Sequence, residues 1–142
     1  KPLEISAEGW NSQGCPFYGH GVAYTAKVTI ADPSGRYLVR LGKWLGSLAK
    51  VVVNGQEVDV VYRPPYECDI TSALKSGENA VTIVVIGTLK NTLGPHHAGV
   101  MRGSAWPDAF SRGPVEGPPP GGQYDTIGYG LFEPFFVVRQ LP

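Results

Sequence analysis

Val22, Tyr24, Ala26, Val28 and Ile30 alternate with Ala23, Thr25, Lys27 and Thr29. A period of two over ten positions predicts a strand with one buried face. Asp32-Pro33-Ser34-Gly35 reads as a turn, with proline early and glycine last, and Tyr37–Leu41 as the returning strand. Ala49, Val51 and Val53 alternate with Lys50 and Val52 up to Asn54-Gly55. That dipeptide accepts the positive φ of a tight hairpin turn, so Val58 and Val60 belong to the next strand. Pro64-Pro65 breaks the pairing, and Tyr66–Ile70 is a short strand. Thr71–Lys75 predicts one helical turn, capped by Thr71 or Ser72 and ended by Gly77. Val81, Ile83 and Val85 mark the most apolar strand, the expected centre of a sheet. Leu131–Leu141 is the last strand, with Pro134 near its start.

With a first segment at Leu3, eight strand-like segments run along the chain. If each reverses the one before, the connections fall at two ends. One end receives Asp32–Gly35, Asn54-Gly55 and Thr71–Asn79. The other receives Ala7–Gly21, Gly42–Ser47, Tyr62–Pro65 and Gly87–Gly130. Trp10, Trp44 and Trp106 lie in the second set, with His20, His96, His97, Tyr18, Tyr62, Phe110, Tyr124 and Tyr129. One end is scaffold closure and the other a working surface, since function tends to sit on loops held by a rigid frame. The segment Gly87–Gly130 exceeds an ordinary connection, and its aromatic content argues against plain disorder. Ser104–Ser111 is suited to a short helix with Pro107 early in it. The expected fold is all-β: a jelly-roll β-sandwich of about eight antiparallel strands with one long loop, forming a single domain over 1–142.

Composition narrows the function. The 142 residues carry 12 basic and 12 acidic side chains, a net charge of +0, which argues against a phosphate-tracking nucleic-acid binder. The 19 Gly and 13 Pro fit strands joined by turns rather than a helical bundle. No apolar run reaches the roughly 20 residues of a membrane helix. The chain starts at Lys1 with no signal-peptide pattern, as a cytosolic protein or a piece of a longer one would. Cys15 and Cys68 are the two cysteines; they either staple a loop to the sheet or stay as small buried thiols.

Several stretches carry a resemblance. Gly14-Cys15-Pro16-Phe17-Tyr18-Gly19 is followed by Val22-Ala23-Tyr24, and Val51-Val52-Val53-Asn54-Gly55 by Pro64-Pro65-Tyr66-Glu67-Cys68-Asp69-Ile70-Thr71. Then come Leu74-Lys75-Ser76-Gly77-Glu78-Asn79, Asn91-Thr92-Leu93-Gly94-Pro95-His96-His97 and Gly130-Leu131-Phe132. In this order they resemble the galactose-binding-domain-like modules of family 2 glycoside hydrolases and of bacterial rhamnosidase-type enzymes. The likeness covers most of the chain, Met101–Gly122 least. It implies a jelly roll, a secreted or periplasmic bacterial parent that degrades polysaccharide, a catalytic domain in cis, and a non-catalytic role. Fold analogy alone does not specify a ligand.

The candidate ligand-binding residues are Trp106, Arg102, Asp108, His96, His97, Trp10 and Tyr124. A sugar ring offers an apolar C–H face on which an indole stacks, and a rim of hydroxyls for Arg, Asp or His to bond. Trp106 stands among Arg102, Pro107 and Asp108 in the least matched stretch; either it stacks on a glycan or it forms the core of its own loop. His96 and His97 either bond hydroxyls or shape the loop base. Trp10 suits either core or surface, Trp44 a cap on the core, and Tyr124 with Tyr129 the closure of the long loop. Arg102 is also suited to a structural pair with Asp108 or Asp125. No zinc spacing, phosphate-binding glycine loop, nucleophile elbow or HExxH motif occurs. No cofactor is expected; a structural calcium near Glu4, Glu8 or Glu133 lacks a dense acidic cluster. The expectation is a monomeric carbohydrate-binding module without enzymatic activity, with a polysaccharide or oligosaccharide as partner and neither nucleic acid nor membrane. The alternative is an accessory domain packed on a catalytic domain without binding sugar.

Overall fold

The computed structural model describes residues 3–93, 117 and 124–140. Its strands are β1 (Gly21–Ile30), β2 (Arg36–Arg40), β3 (Trp44–Leu45), β4 (Leu48–Val53), β5 (Gln56–Val61), β6 (Glu67–Asp69), β7 (Gly77–Ile86), β8 (Gly130–Leu131) and β9 (Phe136–Gln140). One sheet has the order β1-β7-β4-β5, a second β6-β2-β9, and β3 pairs with β8 alone. Every pairing is antiparallel. The chain is an all-β sandwich.

The core lies between the sheets. Val81, Ile83 and Val85 on β7 and Ala49, Val51 and Val53 on β4 face Tyr37, Val39, Leu41, Cys68 and Ile70. The predicted inward face of β1 is partly confirmed. Tyr24 and Ile30 are buried, and Val22, Ala26 and Val28 are half-buried, Val22 and Val28 packing against the core. The reason is position: β1 is an edge strand, whereas β7, flanked by β1 and β4, is shielded on both sides.

The hairpin turn is as expected, with Asn54 at φ 52° and Gly55 at φ 85°. Asn54 also bonds the next element: its amide donates to Asn79 Oδ1 at 2.9 Å, and its own Oδ1 accepts from Ala80 N at 3.0 Å. Asn79 is buried and receives Lys75 N while donating to Lys75 O and Gly77 O. The Gly77-Glu78-Asn79 turn is therefore a polar lock on this end. At the other turn, Ser34 N and Oγ both donate to Asp32, which holds that carboxyl below its usual range.

Four expectations change. No strand forms at Leu3; residues 3–20 are turns and one 3-10 turn at Asn11–Gln13. The Gly42–Ser47 connection contains β3, made possible by a partner 86 residues away, β8. The last segment is two strands, because Phe132–Phe135, with Pro134, leave the ladder between β8 and β9. The helical turn at Thr71–Ala73 has no side-chain cap. Thr71 hydroxyl bonds Asp69 Oδ1 at 2.6 Å instead, and its backbone N–H meets the same oxygen at 3.0 Å. Cys15 and Cys68 are free thiols. The helix expected over Ser104–Ser111 falls outside the described residues.

Candidate functional site

The register separates the two ends as the alternation predicts. Ile30 pairs with Gly77 and Val53 with Gln56 at one end, while Gly21 pairs with Ile86 and Leu48 with Ile86 at the other. The connections 41–47, 62–66 and 87–129 therefore leave from the same side as the N-terminal segment 3–20.

At this end the long segment is rooted firmly on both sides. β7 leads through Gly87, whose N–H donates to His20 O, into the short helix α1 (Lys90–Leu93). Asn91 is fully buried and clamps the returning chain: its Nδ2 donates to Ile127 O and its Oδ1 accepts from Ile127 N, both at 2.7 Å. Lys90 Nζ reaches Asp125, at 2.8 Å to the backbone oxygen and 3.2 Å to the carboxylate. Asn11 Nδ2 donates to Thr126 Oγ1 at 3.2 Å, and Thr88 and Tyr129 share a short hydroxyl contact. Residues 125–129 are thus held against α1 and the N-terminal segment.

Trp10 belongs to the core rather than to a binding surface. It is fully buried, its Nε1 donates to Tyr18 O at 2.7 Å, and its ring meets Tyr18 and Tyr129 at 6.1 and 5.8 Å. An indole with no exposed face cannot stack on a sugar. Gly9 (φ 75°) and Gly130 (φ 127°) let the backbone close on it; a Cβ at Gly9 would collide with Tyr129 backbone, and one at Gly130 with Tyr24 hydroxyl.

Tyr124 is half-buried where the long segment returns, and its ring meets Phe17 edge-on at 5.0 Å and 67°. Phe17 and Tyr18 are both more than two-fifths exposed, and Tyr18 stands edge-on to exposed His20 at 6.4 Å. Thr92 hydroxyl donates to Phe17 O at 2.9 Å, tying this loop to α1. The described part of the site is therefore an aromatic rim of Phe17, Tyr18 and Tyr124 beside the roots of the long segment. Trp106, Arg102, Asp108, His96 and His97 lie outside the described residues. Phe17 and Tyr18 are members of the Gly14–Gly19 motif, and exposure at the loop-rich end is the property that separates them from Trp10. Nothing local in the sequence distinguishes them.

Trp44 is half-buried in β3 and packs against the core. Its ring lies edge-on to Tyr66 at 5.4 Å, and its Nε1 is buried with no acceptor among the described residues.

Most of the described carboxylates serve the scaffold. Asp69 pairs with Arg36, Glu67 with Arg40, Asp32 with Arg139, Glu57 with Lys50 and Glu78 with Lys27. Glu133 accepts Lys43 N at 2.7 Å. Glu4 and Glu8 border a shallow groove of about 370 Å³ with Ser6, Ser12 and Gln13. Among the described residues no three His, Cys, Asp or Glu side chains gather as metal ligands. Nor, among them, is any helix long and apolar enough to cross a membrane.

No family model matches the chain, and no curated protein matches it in sequence. Solved structures do. A rhamnosidase from Novosphingobium sp. PP1Y matches 96% of this chain at a TM-score of 0.65 and 21% identity. This chain spans 12% of that enzyme's length. A β-glucuronidase from Bifidobacterium dentium matches 56% of this chain at 25% identity and a TM-score of 0.45, over 14% of its own length. A β-glucuronidase from an uncultured Clostridium sp. matches 60% at 24% identity and 0.47, over 17% of its length. The rhamnosidase likeness establishes the fold. All three are glycoside hydrolases matched over a small part of their chains.

Proposed function

We propose that this chain is a non-catalytic carbohydrate-binding module of a secreted or periplasmic glycan-degrading enzyme. It would hold a polysaccharide against its loop-rich end for a catalytic domain in cis. The observation that carries the reading is the match of 96% of this chain to a segment amounting to 12% of a rhamnosidase. A module of that size inside a glycosidase is either a glycan binder or a support. The exposed aromatics Phe17 and Tyr18 beside the anchored roots of the long segment favour the binder. Rigid roots matter because a stacking aromatic contributes most when it is held in place before binding. Among the described residues, carboxylates tied into surface ion pairs fit a module without hydrolytic chemistry.

A second reading has its own support. Val84 and Ile86 on β7, and Leu48 and Val52 on β4, point away from the core, because their neighbours Ile83, Val85, Ala49 and Val51 point into it. This face, with Lys50 and Thr82 among these apolar side chains, is suited to packing on another domain. In this reading the module supports the catalytic domain without binding sugar.

The test compares two tryptophans. Trp106→Ala should weaken glycan binding about thirtyfold, the roughly 2 kcal/mol lost with a stacking aromatic at a hot spot, and leave the melting temperature nearly unchanged. Trp44→Ala should instead destabilise by about 3 kcal/mol, since its ring fills the space between β3 and Tyr66. Glycan screening followed by calorimetric titration and melting curves separates them. If Trp106→Ala keeps its affinity but melts far lower, Trp106 is loop core and the supporting role gains. Reducing sugar released by the purified chain, and abolished by a carboxylate change, would overturn the non-catalytic assignment.

A further inference from the structure

The connection between β5 and β6 leaves from the same end and carries exposed aromatics of its own, Tyr62 and Tyr66. Residues Tyr62, Arg63, Pro64, Pro65 and Tyr66 are all exposed, in a chain where most tyrosines are at least half-covered. Tyr62 is 62% exposed and Tyr66 37%. The loop is not loose. Glu67 N donates to Pro65 O at 2.8 Å, Leu41 N donates to Tyr66 O at 2.9 Å, and the Tyr66 ring is braced by Trp44.

Charge sets this surface apart. Arg36, Arg40 and Arg139 each bind a carboxylate at 2.6–2.8 Å. Arg63 is the one arginine among the described residues whose guanidinium meets no carboxylate. It lies over the Tyr62 ring, 5.7 Å from the centroid. That contact orients the fork and leaves its donors toward solvent. An oriented guanidinium over the exposed Tyr62 ring, with Tyr66 exposed further along the same loop, presents one cation and two aromatic side chains within a single connection.

Resting on the carbohydrate-binding reading above, we infer that Tyr62, Arg63 and Tyr66 form a subsite for an acidic sugar, a pyranose bearing a carboxylate. The ring's C–H face would stack on Tyr62 or Tyr66. The planar carboxylate would take two parallel hydrogen bonds from Arg63, a geometry that a guanidinium fork matches. Size favours a glycan over a protein. Two tyrosines and an arginine offer a few hundred Å² at most, against the roughly 1,200 Å² or more of total buried surface in a stable protein interface.

The probe is an oligomer of galacturonic acid, compared with its methyl-esterified form and with dextran sulfate. Titrations use the full chain at low and moderate salt. The acid oligomer should bind, more weakly as salt rises, and Arg63→Gln should weaken it about tenfold or more. The methyl ester should bind less well, and Arg63→Gln should not weaken it further. Tyr62→Ser should weaken both forms. All three positions are exposed, so the variants should melt with the parent. Three results would overturn the subsite: equal affinity for acid and ester, an Arg63→Gln variant that binds the acid as the parent does, or tighter binding of dextran sulfate, which marks mere charge attraction. If neutral glycans still bind through Trp106, such a failure removes this subsite and leaves the module's function standing. If no glycan binds anywhere, both fall together.

Discussion

Asn91→Ala is the sharpest test of how this chain anchors its long segment. The side chain is fully buried and makes two hydrogen bonds of 2.7 Å, one donated to Ile127 O and one accepted from Ile127 N. Alanine leaves both backbone groups without their partner. A buried polar group stripped of its partner costs about 1–3 kcal/mol. Ile127 is half-buried, so water reaches part of the gap, and the total should be about 2–4 kcal/mol. For a chain of this length that corresponds to a melting temperature lower by roughly 6–12 °C. Asn91→Asp keeps an acceptor for Ile127 N–H but loses the donor and buries a carboxylate, so it should be no milder at neutral pH. Exposed Ser72→Ala, at the opposite end, is the control and should stay within about 0.5 kcal/mol of the parent. Calorimetry gives the melting temperatures, and hydrogen exchange reads the Ile127 amide. Exchange there should accelerate in Asn91→Ala more than at the β7 amides. A variant that melts within about 1 °C of the parent with unchanged protection at Ile127 would refute the clamp.

Acid and thiol chemistry give further tests. Asp69 is held down at about 2 by hydrogen bonds from Thr71 and by Arg36. A carboxyl whose folded pKa lies below its ordinary value adds stability above that value and loses it as pH falls through the folded pKa. The contribution of Asp69 should therefore be complete above about pH 4 and fade toward pH 2; in acid titrations Asp69→Asn should flatten that part of the stability curve. Burial, with the nearby Asp59 and Asp69 carboxylates, pushes the Cys68 thiol up to about 11. At pH 8 a thiol-counting reagent should modify half-exposed Cys15 first and reach Cys68 only on unfolding. Fast modification of both thiols in the folded protein would contradict the burial of Cys68.

By itself the sequence determined what depends on neighbours a few residues apart. Alternation placed β1, β4 and β7 and their inward faces, because a strand's side chains switch sides at every residue. Asn54-Gly55 fixed a hairpin because both residues tolerate positive φ. Strand reversal alone sorted the connections between two ends, and the register agrees. Tertiary structure decided whatever needed a partner far along the chain. β3 exists because β8 pairs with it, and no property of Trp44-Leu45 announces that. Trp10 and Phe17 are aromatics in the same N-terminal segment, yet Trp10 is sealed by Tyr18 and Tyr129 while Phe17 reaches the surface beside Tyr124. The loop-rich end was legible in the sequence, but which of its aromatics face outward was not. Asn91 reads as a helix or loop asparagine until Ile127 is folded against it, and among the described arginines Arg63 differs from Arg36, Arg40 and Arg139 in meeting no carboxylate. Burial and charge pairing are relations between distant residues. Only the folded chain fixes them, whereas period and turn chemistry are written into each short stretch.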